Sequence, residues 1–256
     1  MKHILTPFYI LYKIYFLIFF ALSLTPMFPL FYLLLRKEST FPLAFKTMRF
    51  WAFLLLIFGI APLKIKGKEN IPDDGTFIIC PNHSSFFDIF CIYAIFPKYF
   101  TFTGKKEIEK WPLFHIFYTS GMNILVDRKN PKGDIKAFKR MIKEIDKGHP
   151  LVMFPEGTIS KQAPKLTEFQ SGPFNIAIQK HVPILPVTFL TNWKLLQRKG
   201  IWKGIARPGF AEVIIHPLVQ TQNLTKKNTE QLLQSVKDII NEPIDTRYFK
   251  KQIKYL

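Results

Sequence analysis

The apolar residues divide the chain into two unlike parts. Two apolar blocks open it, one from Phe8 to Leu35, interrupted by Pro26 and Pro29, and one from Phe50 to Leu63. A helix needs roughly 20 apolar residues to cross a ~30 Å hydrocarbon core, so the first block is long enough and the second is marginal. The first run is also too long, and too rich in Phe and Tyr, for a cleaved leader. Proline removes a helical N–H, so Pro26 and Pro29 predict a break or kink within the first block. That suits a re-entrant or in-plane helical pair with both ends on one side of a bilayer, taken as the cytoplasmic side. Arg36, Lys37, Lys46 and Arg49 lie between the blocks, where a polar headgroup layer would receive them.

After Lys64 the pattern changes to short β-prone runs alternating with amphipathic stretches, the mark of an α/β layer fold. Strands are predicted at Thr76–Cys80, Tyr99–Thr103, Met122–Val126, Leu151–Phe154, Ile184–Phe189 and Glu212–Ile215. A helix is predicted over Phe86–Ile95. Another spans about Pro131–Lys147, with Asn130 as N-cap, a stripe of Ile135, Phe138, Ile142 and Ile145, and Gly148 as its stop. A third begins after Thr225 and carries Leu232, Leu233, Val236, Ile239 and Ile240 on one face. With no repeat or low-complexity tract, the expected organisation is a membrane-associating helical segment over residues 1–63 and one catalytic domain over residues 64–256.

Charge narrows the partners. The 36 Lys and Arg against 18 Asp and Glu give a net charge of +18, an excess that draws either nucleic acid or anionic lipid. Beside two apolar blocks the expected partner is the lipid bilayer and not nucleic acid. Each basic residue near an anionic leaflet contributes on the order of 1 kcal/mol. Only Cys80 and Cys91 carry thiols, which fits a reducing compartment.

Two segments carry chemistry. Pro81-Asn82-His83-Ser84-Ser85-Phe86-Phe87-Asp88 stands where a strand gives way to a helix. A carboxylate five residues after a histidine can bind one ring nitrogen, fix the tautomer and stabilise the imidazolium formed when the ring takes a proton. The plainer alternative is that Asp88 or Ser84 caps the helix and His83 packs nearby. A metal site from Cys80, His83, Asp88 and Cys91 would lack the second ligand pair usual for zinc, so the expectation is no metal. The chain has no G-x-S-x-G elbow, which places the nucleophile on the substrate. The second segment, Phe154-Pro155-Glu156-Gly157-Thr158, follows an apolar strand. There Glu156 could hold an acceptor hydroxyl, and Gly157 could let backbone N–H groups approach an oxyanion.

Together these two segments resemble the lysophosphatidic acid acyltransferase family. Two further blocks agree: Gly104-Lys105-Lys106-Glu107-Ile108 with Pro112-Leu113-Phe114 and Ile124-Leu125-Val126-Asp127-Arg128, and Val182-Pro183-Ile184-Leu185-Pro186-Val187. The resemblance implies a mixed, mostly parallel sheet flanked by helices, of the glycerolipid acyltransferase type. It implies His83 as general base oriented by Asp88, Lys105 and Arg128 near an acceptor phosphate, and no bound cofactor. The co-substrate it implies is an acyl thioester on coenzyme A or acyl carrier protein, and the acceptor the second hydroxyl of lysophosphatidic acid, giving phosphatidic acid. Lys106, Lys129 and Lys132 are expected to be ordinary surface charges.

Two departures stand out. The family usually continues its third motif with arginine, where this chain has Ile159, and it carries a basic residue where this chain has Phe169-Gln170-Ser171-Gly172. Losing such an arginine removes a charge-assisted bond worth roughly 1.5 to 3 kcal/mol unless Lys161 or Lys165 reaches in. Two alternatives therefore stand: the same chemistry on another lysolipid, with a larger or amino-acid head group, and a non-catalytic basic membrane adaptor.

Overall fold

The computed structural model of the chain describes residues 5–111, 113–127 and 130–249, with the side chains of residues 131–134 left aside. Its centre is one sheet of seven strands: β1 (Leu63–Lys66), β2 (Ile78–Pro81), β3 (Thr101–Lys105), β4 (Ile124–Val126), β5 (Leu151–Val152), β6 (Ile184–Phe189) and β7 (Ala211–Ile215). They stand in the order β1-β7-β6-β2-β5-β3-β4. Every pairing is parallel except that of β6 with β7. This is the mixed, mostly parallel sheet the motifs imply.

Alternation along the central strands builds two cores. Ile78, Leu151 and Ile184 face one, with Phe174, Val236 and Ile240. Their neighbours Ile79, Val152 and Leu185 face the other, with Phe87, Phe45 and Leu55. Strands buried on both faces read as unbroken apolar runs, which is why all six predicted strands are present. Their limits shift by a residue or two, and β5 stops at Val152. The edge strand β1 was not predicted: it is four residues long with Lys64 and Lys66 exposed, a charged edge that discourages further pairing.

Among the described residues eight α-helices surround the sheet: α1 (Thr6–Leu34), α2 (Phe41–Phe58), α3 (Phe87–Ile95), α4 (Ile116–Thr119), α5 (Pro131–Asp146), α6 (Gly172–Lys180), α7 (Asn192–Leu195) and α8 (Thr229–Tyr248). In α5 Ala137, Met141 and Ile145 are buried and Phe138 and Ile142 pack partly buried against the same core, so the expected stripe faces inward except at Ile135, which is 57% exposed.

The N-terminal region departs from expectation in two ways. No break falls at Pro26 or Pro29, which lie inside the 29-residue α1. The Ser23 and Thr25 hydroxyls donate to Phe20 O (3.1 Å) and Ala21 O (2.8 Å) in that turn, not to Leu22 O and Thr25 O, the carbonyls that the two prolines leave without a helical N–H. The chain reverses after Leu34 instead, where Thr40 Oγ1 donates to Leu34 O at 2.6 Å. The second helix also begins earlier than expected, at Phe41, and so contains Lys46 and Arg49. Arg49 Nε donates to Tyr93 O at 3.0 Å, so this cation fastens α2 to α3 and is not free for a headgroup layer.

α1 and α2 form an antiparallel hairpin. Tyr15 OH near the start of α1 donates to Phe58 O at the end of α2 (2.7 Å), and Trp51 Nε1 donates to Ser23 Oγ (3.0 Å). One face of α2 packs into the sheet's core, Phe45 against Tyr93 and Phe100. The outer faces stay apolar and exposed, Leu11 at 66%, Leu22 at 68% and Phe50 at 59%. Both helices are long and apolar enough to cross a membrane, and they fit a membrane-associating pair.

Candidate active site

The site lies beyond the carboxyl ends of β2, β3, β5 and β6, the edge at which open α/β sheets gather ligands. β2 ends at Pro81, and the buried Asn82 clamps that end to the end of β6. Its Oδ1 accepts the Phe189 N–H at 2.6 Å and its Nδ2 donates to Phe189 O at 3.2 Å. His83 is thereby delivered to a fixed place on the rim of the sheet.

His83 Nδ1 lies 2.9 Å from Asp88 Oδ2. A carboxylate at that nitrogen assigns it the proton and leaves Nε2 as the basic nitrogen. The ring is stacked on Phe154, with centroids 3.9 Å apart, and it lines a cavity. Asp88, in the first turn of α3, is fully buried. Its Oδ2 also accepts the N–H groups of Ser84 (2.6 Å) and Ser85 (2.8 Å), and its Oδ1 accepts Asn192 Nδ2 at 2.8 Å. A buried carboxylate is costly unless donors meet it; these donors and the α3 N-terminus do so. The carboxylate thus meets the imidazole as the His83–Asp88 spacing allows, whereas the capping alternative is not seen: α3 has no side-chain cap, and the N–H groups that Asp88 accepts belong to Ser84 and Ser85, ahead of the helix.

Glu156 is buried, and its place differs from the expected one. Oε1 accepts the His83 backbone N–H at 2.7 Å; Oε2 accepts the Thr167 N–H and hydroxyl, each at 2.8 Å. Both oxygens face protein donors, so Glu156 holds the His83 backbone and not an acceptor hydroxyl. Burial raises its carboxyl pKa, and the bonds from His83 and Thr167 oppose that rise. Glu156→Gln would turn an amide donor toward His83 N–H or the Thr167 donors. Steady-state kinetics should then show kcat falling about tenfold or more with KM little changed, on the ~1–3 kcal/mol scale of an unsatisfied buried group.

Gly157 adopts φ 64°, a left-handed conformation that glycine takes without strain. Its N–H donates to Phe154 O at 3.0 Å and closes the turn. The N–H groups of Thr158 and Ile159, the next two along the turn, have no hydrogen-bond partner among the described residues.

The cavity has a volume of about 700 Å³, within the usual range for ligand sites. Phe16, Phe20 and Leu24 of α1, Phe90 of α3 and Phe114 line its apolar part. Its lining also includes His83, Lys105, Gly157 and Thr158. Gly104 matters to its shape, because a Cβ there would stand 2.4 Å from the Tyr118 ring. Lys161 and Lys165 are exposed and are not among the lining residues, so neither makes the expected substitution for an arginine. Arg198 does line the cavity, with Nη1 donating to Thr158 Oγ1 at 2.6 Å and Ile159 O at 3.3 Å. Lys106 pairs with Asp127 at 2.7 Å on the surface, as an ordinary surface charge would. Arg128 and Lys129, and the side chain of Lys132, lie outside the described residues.

Among the described residues, no hydroxyl or thiol of the chain is hydrogen-bonded to the imidazole of His83. Ser85 Oγ donates to Leu196 O at 2.9 Å, and Ser84 Oγ is directed to Asp88. Cys80 and Cys91 are fully buried, and burial holds both thiols well above their usual pKa, which suppresses the nucleophilic thiolate.

Fold and site together define an α/β protein with a carboxylate-paired histidine at a largely apolar cavity. The chain belongs to the Acyltransferase family, whose model matches residues 62–190. A 1-acyl-sn-glycerol-3-phosphate acyltransferase of Limnanthes douglasii is 33% identical over 187 residues, covering 73% of this chain and 64% of that protein. One of Saccharomyces cerevisiae is 29% identical over 191 residues, covering 74% and 61%. The chain thus spans less than two thirds of the length of these relatives. The crystal structure of the 1-acyl-sn-glycerophosphate (LPA) acyltransferase PlsC from Thermotoga maritima has the same fold, with a TM-score of 0.78, 21% identity, and 97% and 98% of the two chains covered.

Proposed function

We propose that this protein transfers a fatty acyl chain from an acyl thioester, carried by coenzyme A or acyl carrier protein, to the sn-2 hydroxyl of lysophosphatidic acid, giving phosphatidic acid. The observation that carries the reading is the His83–Asp88 pair opening on an apolar cavity whose lining includes two cations, Lys105 and Arg198. In this scheme His83 Nε2 takes the proton of the acceptor hydroxyl as its oxygen attacks the thioester carbonyl. The developing imidazolium faces Asp88. The tetrahedral oxyanion is held by backbone donors of the 157–159 turn, with Thr158 and Ile159 N–H available for it. The carbon–sulfur bond then breaks, and the thiolate leaves with the proton from the imidazolium. Both reacting groups come from substrates, and the chain stays unacylated.

The chemistry is placed in residues 64–256 and membrane attachment in residues 1–63, with the site on the cytoplasmic face. The acyl chain occupies the aromatic part of the cavity, beside α1, and the phosphate meets Lys105 and Arg198. Fixed cations suit a dianionic head group. Arg198→Ala is expected to raise KM for lysophosphatidic acid by about 10- to 100-fold, matching a lost charge-assisted bond of roughly 1.5 to 3 kcal/mol. Lys161→Ala should leave it near the wild-type value. Initial-rate assays with both variants check this, and equal effects of the two would remove Arg198 from the acceptor site. A panel of lysolipids with larger head groups tests the substrate: phosphatidic acid should be the dominant product.

A further inference from the structure

Lys13 is the one buried lysine among the described residues, 3% exposed on the otherwise apolar α1. The chemistry at His83 does not use it. Its ammonium is surrounded by backbone carbonyls of one short loop: Gly200 O (3.1 Å), Ile201 O (3.2 Å), Lys203 O (2.6 Å) and Gly204 O (3.1 Å). An ammonium removed from water needs such acceptors. The loop is the tip of a hairpin closed by the Leu196–Ala206 bridge and by Gln197 N–H donating to Ile205 O at 2.9 Å. Because its carbonyls converge on Lys13, its side chains are left to the outside. Trp202 is 72% exposed and Ile201 40%, and Lys199 and Lys203 on either side are exposed too.

We propose that this hairpin tip is a membrane-docking element that sets Ile201 and Trp202 into the interface of an anionic bilayer. The inference rests on the membrane attachment of α1 and α2 proposed above and extends it to a segment nearly 190 residues away in sequence. Two features select lipid over a protein partner. Tryptophan with flanking lysines matches the layer where apolar chains meet anionic head groups. The tip is also continuous with the apolar surface of the helical pair: it is fastened to α1 by Lys13, and the Gly209 N–H donates to Ile60 O at 3.0 Å, beside the exposed Ile60 and Phe210. The first strand of the same hairpin carries Leu196 and Arg198, which line the cavity. Docking the tip therefore brings the bilayer surface to the mouth through which a lipid head group enters.

The test uses the full chain, its Trp202→Phe variant, and vesicles of phosphatidylcholine with or without phosphatidylglycerol, some brominated near the head of the acyl chains. Subtracting the variant's fluorescence isolates Trp202 from the other three tryptophans. On anionic vesicles the Trp202 signal should shift to the blue and be quenched by the shallow bromines. Lys199→Glu combined with Lys203→Glu should lower binding to phosphatidylglycerol vesicles several-fold and leave binding to phosphatidylcholine alone unchanged. If both proteins bind vesicles but the Trp202 signal is neither shifted nor quenched, the hairpin is not a membrane contact, while attachment through α1 and α2 stands. Binding indifferent to the charge reversal would overturn the anionic assignment. Failure of wild-type protein to bind any vesicle would overturn the membrane reading itself.

Discussion

Replacing His83 by alanine is expected to reduce acyl transfer by about 10²- to 10⁴-fold, the range for losing a positioned general base, while the vesicle-bound fraction stays at the wild-type level. The separation follows from geometry. The imidazole lines the cavity and is held through Nδ1 by Asp88, whereas the exposed apolar faces proposed to meet lipid belong to α1 and α2. Alanine keeps the backbone N–H that Glu156 accepts, so the turn between β2 and α3 should persist. Parallel turnover and vesicle-sedimentation assays decide the matter. Retained activity would reject His83 as the base, and joint loss of activity and binding would point to a folding defect.

The second large effect is expected at Asp88. Asparagine there must turn an amide donor either toward Oδ2's partners, His83 Nδ1 and the N–H groups of Ser84 and Ser85, or toward Asn192 Nδ2. The first orientation sets donor against donor in a fully buried position, the second is met only if the Asn192 amide flips and leaves its Nδ2 where Oδ1 now has no partner, and in both a neutral side chain cannot stabilise the imidazolium. Turnover should fall by about 10⁴-fold, as when a neutral amide replaces the carboxylate behind a catalytic histidine. Thermal stability should fall too, because an unmet buried polar group costs roughly 1 to 3 kcal/mol. Adding Asn192→Asp restores an acceptor opposite the new amide. The double variant is expected to recover part of the lost stability while kcat stays low, since the charge no longer touches the imidazole. Recovery of full turnover would mean that Asp88 serves folding alone.

The sheet was legible where burial on both faces wrote continuous apolar runs, as in Ile184–Phe189. It was illegible at Leu63–Lys66, whose partner β7 lies about 150 residues downstream and whose alternating lysines resemble a loop. The helix α6 was missed because it begins at Gly172-Pro173, a pair that also reads as a turn. Prolines misled within α1, where the helix continues through both. At the site, His83 and Asp88 were legible because they are neighbours in sequence, and their pairing needed only one strand end and one helix turn. Glu156 was found, but its direction was not, since Thr167 and the His83 N–H reach it only in the folded chain. Asn192 was signalled weakly, as a polar residue just past the end of a buried strand. Arg198 had no signal at all: it is one of 36 basic residues, and only the hairpin fastened by Lys13 carries it to the cavity.

The central claim is direct transfer, in which the lipid hydroxyl, deprotonated at His83, attacks the thioester without an acylated protein between. Initial rates measured with the acyl thioester and lysophosphatidic acid both varied test it most directly. Double-reciprocal lines that intersect are the predicted result, because both substrates must occupy the cavity together. Parallel lines would signal a covalent acyl intermediate and would contradict the account.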